Sequence, residues 1–143
     1  MYRNILIAAD GSDLAADAAR QGIALAKSLG SKLTVVTVTE PFYFHDASTP
    51  ADLQPNYVQA AQRQAKAILA GLADAAKSAG VPCETVHVEK GPPYLSIIET
   101  AQAKKCDLIV MGSHGRGGLG ALVLGSHTLK VLTHSKIPVL VCR

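Results

Sequence analysis

The stretch DLIVMGSHGRGGLGALVLGS, residues 107–126, runs from an apolar segment into a loop that holds six of the twelve glycines of the chain. Leu108-Ile109-Val110-Met111 is short, continuous and apolar, as expected of a strand covered on both faces. Each ordered glycine costs stability relative to alanine. Such a concentration therefore points to positive φ angles, or to a ligand approaching too closely for side chains. The sequence from Ser126 to His134 then reads as a short helix, and Ile137 to Val141 as a closing strand.

Working outward, the same alternation recurs. Ile5-Leu6-Ile7-Ala8-Ala9 is a first buried strand, bounded by Asp10-Gly11-Ser12. Ser12 or Asp13 can cap a helix whose Ala15, Ala18, Gly22, Leu25, Ala26 and Leu29 share one face, and Gly30 ends it. Leu33 to Val38 is a second strand. Val58, Ala61, Ala65, Ile68, Leu69, Leu72 and Ala76 mark the stripe of a long helix stopped at Gly80. Cys83 to Val88 is a third strand, and Pro92-Pro93 suits the first turn of a helix running to about Lys105. Asp107 to Met111 is the fourth strand.

Parallel neighbours need crossovers, and those are right-handed. The order therefore predicts an α/β fold: a five-stranded, mainly parallel, Rossmann-like sheet in the order 3-2-1-4-5, with helices on both faces. Ligands in such sheets bind at the carboxyl ends of the strands, where the order reverses. The loops after strands one, two and four converge there.

At 143 residues and 48% hydrophobic, the chain fits one domain, residues 1–143. No stretch approaches a bilayer span, and Met1-Tyr2-Arg3-Asn4 leads straight into a strand, so a soluble cytoplasmic protein without membrane contact is expected. Cys83, Cys106 and Cys142 lack metal-ligand spacing and read as reduced, packed thiols. The net charge of +3 is scattered, with no basic patch or interleaved aromatics, so nucleic acid is not an expected partner.

Spacing separates the phosphate-binding readings of the loop. Gly115 to Gly120 formally matches G-x-G-x-x-G, but a dinucleotide site puts that pattern in its first turn with an acid about 20 residues on, and no Asp or Glu follows Asp107. A P-loop needs Gly-Lys-Ser or Gly-Lys-Thr, and neither occurs. What remains is Gly112-x2-Gly115-x9-Gly125-Ser126. A glycine turn presents successive N–H groups as an anion-binding concavity, and the helix that follows adds free N–H donors and its positive end. Ser126 would donate its hydroxyl and cap that helix, and Arg116 would bring a mobile positive charge.

That spacing resembles the G-2x-G-9x-G-[S/T] motif of the ATP-binding branch of the universal stress protein family. The likeness extends to Asp10-Gly11-Ser12, to Asp107-Leu108-Ile109-Val110-Met111-Gly112 and to Pro138-Val139-Leu140-Val141. The resemblance implies an ATP-binding regulatory or stress-response module. Asp10 would face the ribose or its metal, and the Val38 backbone the adenine edge; Gly112, Gly115, Gly125, Ser126 and the backbone of His127 would line the phosphates. Asp10 has a second reading as a helix cap. Mg²⁺ would accompany the phosphates without a dedicated protein site. His127 departs from the small or β-branched residue expected after the motif serine; its ring could supply a titratable donor or point to solvent.

The enzyme readings find less support. No carboxylate follows the loop, Asp10 is the one acid placed on that edge, and no catalytic residue is assigned; a slow ATPase is the alternative to a regulatory module. The motifs Ser-Gly-Gly-x-Asp-Ser and His-x-Gly-His of related ATP-using enzymes are absent. A phospho-acceptor receiver would need an acidic pair at strand one, an acceptor Asp after strand three and a lysine after strand five, whereas this chain ends at Arg143 just beyond strand five. The Phe42-Tyr43-Phe44-His45 cluster would anchor its loop or form a lid. If Ile137 to Val141 is an edge strand, its unpaired backbone invites a second copy, and the resemblance likewise implies a homodimer through that strand.

Overall fold

The computed structural model describes residues 1–40, 54–114 and 124–143. Five strands, β1 (Asn4–Ala8), β2 (Lys32–Val38), β3 (Cys83–Val88), β4 (Leu108–Gly112) and β5 (Val139–Cys142), form one sheet in the order β3-β2-β1-β4-β5. Every neighbouring pair is parallel. The helices are α1 (Asp13–Leu29), α2 (Gln54–Ser78), α3 (Pro93–Ala103) and α4 (Ser126–His134). The fold class and strand order are those read from the sequence. The Phe42–His45 cluster, Gly115 and Arg116 lie outside the described residues.

The period-two alternation of strand side chains divides the apolar residues between two cores. Ile5 and Ile7 of β1, Val35 of β2 and Val110 of β4 pack with Ala18, Ala19 and Ile23 of α1 and Leu69 and Ala76 of α2. Leu6, Val36, Ile109 and Met111 point the other way, onto Ile97, Ile98 and Ala101 of α3 and Val131 of α4. The central strand is thus dry on both sides, which is why its sequence reads as an unbroken apolar run.

Helix ends follow local chemistry. Ser12 caps α1 by accepting from Ala15 N at 3.2 Å, and Gly30 closes it at φ +70°. Helix α3 stops at Ala103, two residues before the position expected, because the chain turns left-handed at Lys105 (φ +57°) and Cys106 N returns to Ala101 O at 2.8 Å. Strand β5 starts at Val139 instead of Ile137. The Ser135 hydroxyl accepts from Ile137 N (3.0 Å) and donates to Ile137 O (2.8 Å), and Pro138 has no N–H for the ladder.

Four elements meet at Gly112. A Cβ there would lie 3.1 Å from the backbone C and O of Leu14 and 3.3 Å from Ala15 N, so the missing side chain lets α1 begin directly against the end of β4. Its carbonyl accepts from the buried Thr128 hydroxyl at 2.9 Å, tying α4 to the same point, and Cys142 of β5 is its sheet partner. Gly125 N donates to Ser113 O at 2.8 Å, closing the base of the glycine-rich loop.

Gly112→Ala should lower the denaturant midpoint by about 1–3 kcal/mol of stability, because the neighbours are backbone and cannot step aside. Gly71→Ala, on an exposed helix surface with nothing within 4 Å, should instead stabilise by about 0.5–1 kcal/mol. Thr128→Val keeps the shape but orphans an acceptor, and should cost about 1–3 kcal/mol by the same measurement.

Candidate functional site

Strand order reverses between β1 and β4. The chain moves from β1 outward through β2 to β3, then returns to the other side of β1 at β4. The loops above the two strands therefore part, and a cavity of about 830 Å³ opens over their carboxyl ends. It is lined by Asp10, Val38, Gly112, Gly125, Ser126 and His127, so six sequence-predicted residues share one space.

Much of the cavity lining is apolar: Val36 and Val38 from β2, Ala61, Ala65 and Ile68 from α2, and Pro93 and Ile97 from α3, and the alanines leave the width that larger residues would fill. Polar lining comes from Asp10, Gly112, His114 and the first turn of α4, with Thr37, Thr39, Glu40 and Gln64. A planar apolar group joined to an anionic tail suits this mixture.

The polar lining is ordered from the backbone up. Asp10 does not cap α1: its Oδ1 accepts from Ser12 N at 2.9 Å, fixing the turn that leads into the helix, while Ser12 takes the cap position. Ser126 does not cap α4 either. The cap residue is Gly125 (φ −59°, ψ 152°), Ser126 is the first helical residue, and Gly125 has no side chain with which to make a cap hydrogen bond. The first-turn N–H groups thus have no intrahelical acceptor and open, with the positive end of the helix, on the cavity wall. Freed from capping, the Ser126 hydroxyl stays available as a further donor.

Several residues that sequence reading did not single out complete the site. Glu40, just beyond β2, places a second carboxylate on the edge, and the half-exposed His127 ring stands with Nε2 3.8 Å from Glu40 Oε1. Thr39, also on the wall, shares a 2.7 Å hydrogen bond with His87 Nε2. Glu89 lies 3.8 Å from His87 Nδ1 and accepts from Gln62 Nε2 at 2.9 Å, so this chain of polar groups ties α2 to the ends of β2 and β3. His114 is buried beside the glycine-rich loop. None of these carries a local sequence signal, since each depends on where distant elements meet.

Burial raises the thiols of Cys83, Cys106 and Cys142 above their ordinary range, with a Thr34 hydrogen bond opposing the shift at Cys106. Protonated thiols of this kind are packing groups. Among the described residues, no three His, Cys, Asp or Glu side chains gather as a metal site, and no helix is long and apolar enough to cross a membrane.

Comparison with known proteins agrees with this architecture. A protein of Thermus aquaticus named "Universal stress protein in QAH/OAS sulfhydrylase 3'region" is 38% identical over 144 residues, covering 100% of both chains. The solved structure of hypothetical protein MJ0577 superposes with a TM-score of 0.84 at 25% identity, covering 99% of this chain and 96% of that one. A universal stress protein solved in complex with cAMP superposes at 0.74 with 30% identity, covering 99% and 97%. The model of the Universal stress protein family matches residues 1–143, and the chain described here belongs to that family.

Proposed function

We propose that the chain binds ATP in the cavity above β1 and β4 and acts as a nucleotide-dependent regulatory module. The observation that carries this reading is the uncapped start of α4, open on the same cavity as an apolar wall from β2, α2 and α3. Anionic oxygens are suited to such a helix N-terminus, and the family relative solved with cAMP accommodates an adenine nucleotide.

In this reading the adenine lies against the Val38 backbone and Asp10 faces the ribose. Gly112, Gly115, Gly125, Ser126 and the His127 backbone surround the phosphates, and Arg116 brings positive charge from the loop. Mg²⁺ bound to the phosphates would neutralise part of their charge. The fit to a polyphosphate rests on N–H donors and hydroxyls in place of a lysine, which favours holding a nucleotide over turning it over. We place this module in the cytoplasm as one domain of residues 1–143.

ATP with magnesium in millimolar excess should raise the melting midpoint, and at about 100 times the dissociation constant the gain should approach about 2.7 kcal/mol. Ser126→Ala should weaken binding about tenfold, through loss of a hydrogen bond to a charged group. A parent protein that takes up no adenylate under those conditions would overturn the reading. Hydrolysis well above background that vanishes in Gly115→Ala would make the chain a slow ATPase instead.

The outer strand β5 supports a second element of the proposal. It lies at the sheet edge with Leu140 41% exposed, and Leu129 and Leu132 of α4 are also exposed. We assign this edge to a homodimer joined through the final strands. Light scattering should give twice the chain mass, and a Leu140→Lys variant should give the single mass; a monomeric parent would refute the assignment.

A further inference from the structure

Among the described residues, one buried side-chain polar atom has no hydrogen-bond partner: Nε2 of His114. The residue is 7% exposed and lines the cavity. Its other ring nitrogen, Nδ1, stands 3.2 Å from the Ser113 hydroxyl oxygen. An imidazole held at one nitrogen and starved at the other carries the cost of an unmade hydrogen bond. A ligand that satisfies Nε2 recovers that cost, so the atom is a preformed contact.

The chemistry of the surrounding wall decides what kind of group it meets. His114 follows β4 immediately, and Gly125 N, at the head of α4, bonds the carbonyl of its neighbour Ser113. The first-turn N–H groups of α4 open on the same wall, so the partner drawn there is an acceptor rich in negative oxygens. We infer that His114 Nε2 donates to a phosphoryl oxygen of the bound nucleotide. This rests on the nucleotide reading given above.

The proton balance is direct. When the Ser113 hydroxyl donates to Nδ1, the neutral ring carries its one proton on Nε2. Donation from Nε2–H to a phosphoryl oxygen then leaves the number of protons on the ring unchanged. His127 is half exposed, so water can satisfy its ring in the empty protein and it has no comparable unmet bond.

The test is ATP–Mg²⁺ affinity in the parent, His114→Gln and His114→Asn. The glutamine amide nitrogen reaches the position of Nε2; asparagine reaches only that of Nδ1. His114→Gln should bind nearly as tightly as the parent, and His114→Asn should lose about tenfold. In ¹⁵N spectra of the unmutated protein, the Nε2–H resonance of His114 should shift on addition of ATP–Mg²⁺, which keeps the test independent of variant folding. Binding by the parent with an unmoved Nε2–H resonance, or binding by His114→Asn as tight as the parent's, would overturn the inference while leaving the nucleotide reading intact. No binding by the parent would remove both.

Discussion

The contact between Gly112 and the first turn of α1 is the constraint on which the site depends. A hydrogen in place of a side chain lets the Leu14 backbone approach to a distance no Cβ would tolerate. Because β4 ends there, its terminal carbonyl is also where Thr128 fastens α4 and where β5 comes into register. The sheet, two helices on opposite faces and both ends of the glycine-rich loop are therefore indexed to one residue. A glycine in a phosphate-binding pattern is commonly explained by the ligand, but here the fold alone accounts for Gly112.

The cavity follows from that junction and from the reversal of strand order beside it. Helices α1 and α2 belong to one core and α3 and α4 to the other, yet residues of all four reach the space above the strand ends. Small side chains do the rest: Ala8, Ala9, Ala15, Ala61 and Ala65 line it. In a strand or a helix stripe those alanines look like ordinary core positions. Their placement near the strand ends makes them part of the boundary of the cavity.

Much of the fold was legible because its signals are local. Unbroken apolar runs marked β1 and β4, the glycines at 30 and 80 ended helices at positive φ, and α4 spans the residues the pattern indicated. The differences arise where a local rule met a distant partner or an uncommon backbone. Lys105 adopts the left-handed conformation usually left to glycine, so nothing in the sequence announced the end of α3. Ser126 has the composition of a cap, but the extended backbone at Gly125 places it one step inside the helix. The roles of Thr128, Glu40 and His114 depend on contacts between elements far apart in the chain, and no periodicity encodes those.

The two borders of the sheet differ in character. At one, β3 presents partly or fully exposed groups along its whole length and carries Glu84, paired with the Lys104 ammonium at 2.5 Å. At the other, β5 offers Val139, Leu140 and Val141 and no charge before Arg143. Charge on a strand border discourages further strands from adding, whereas an apolar border invites one. A two-fold pairing of the apolar borders would leave only charged ones facing outward, so growth would terminate at a closed pair, and the asymmetry would then guard against open-ended filaments.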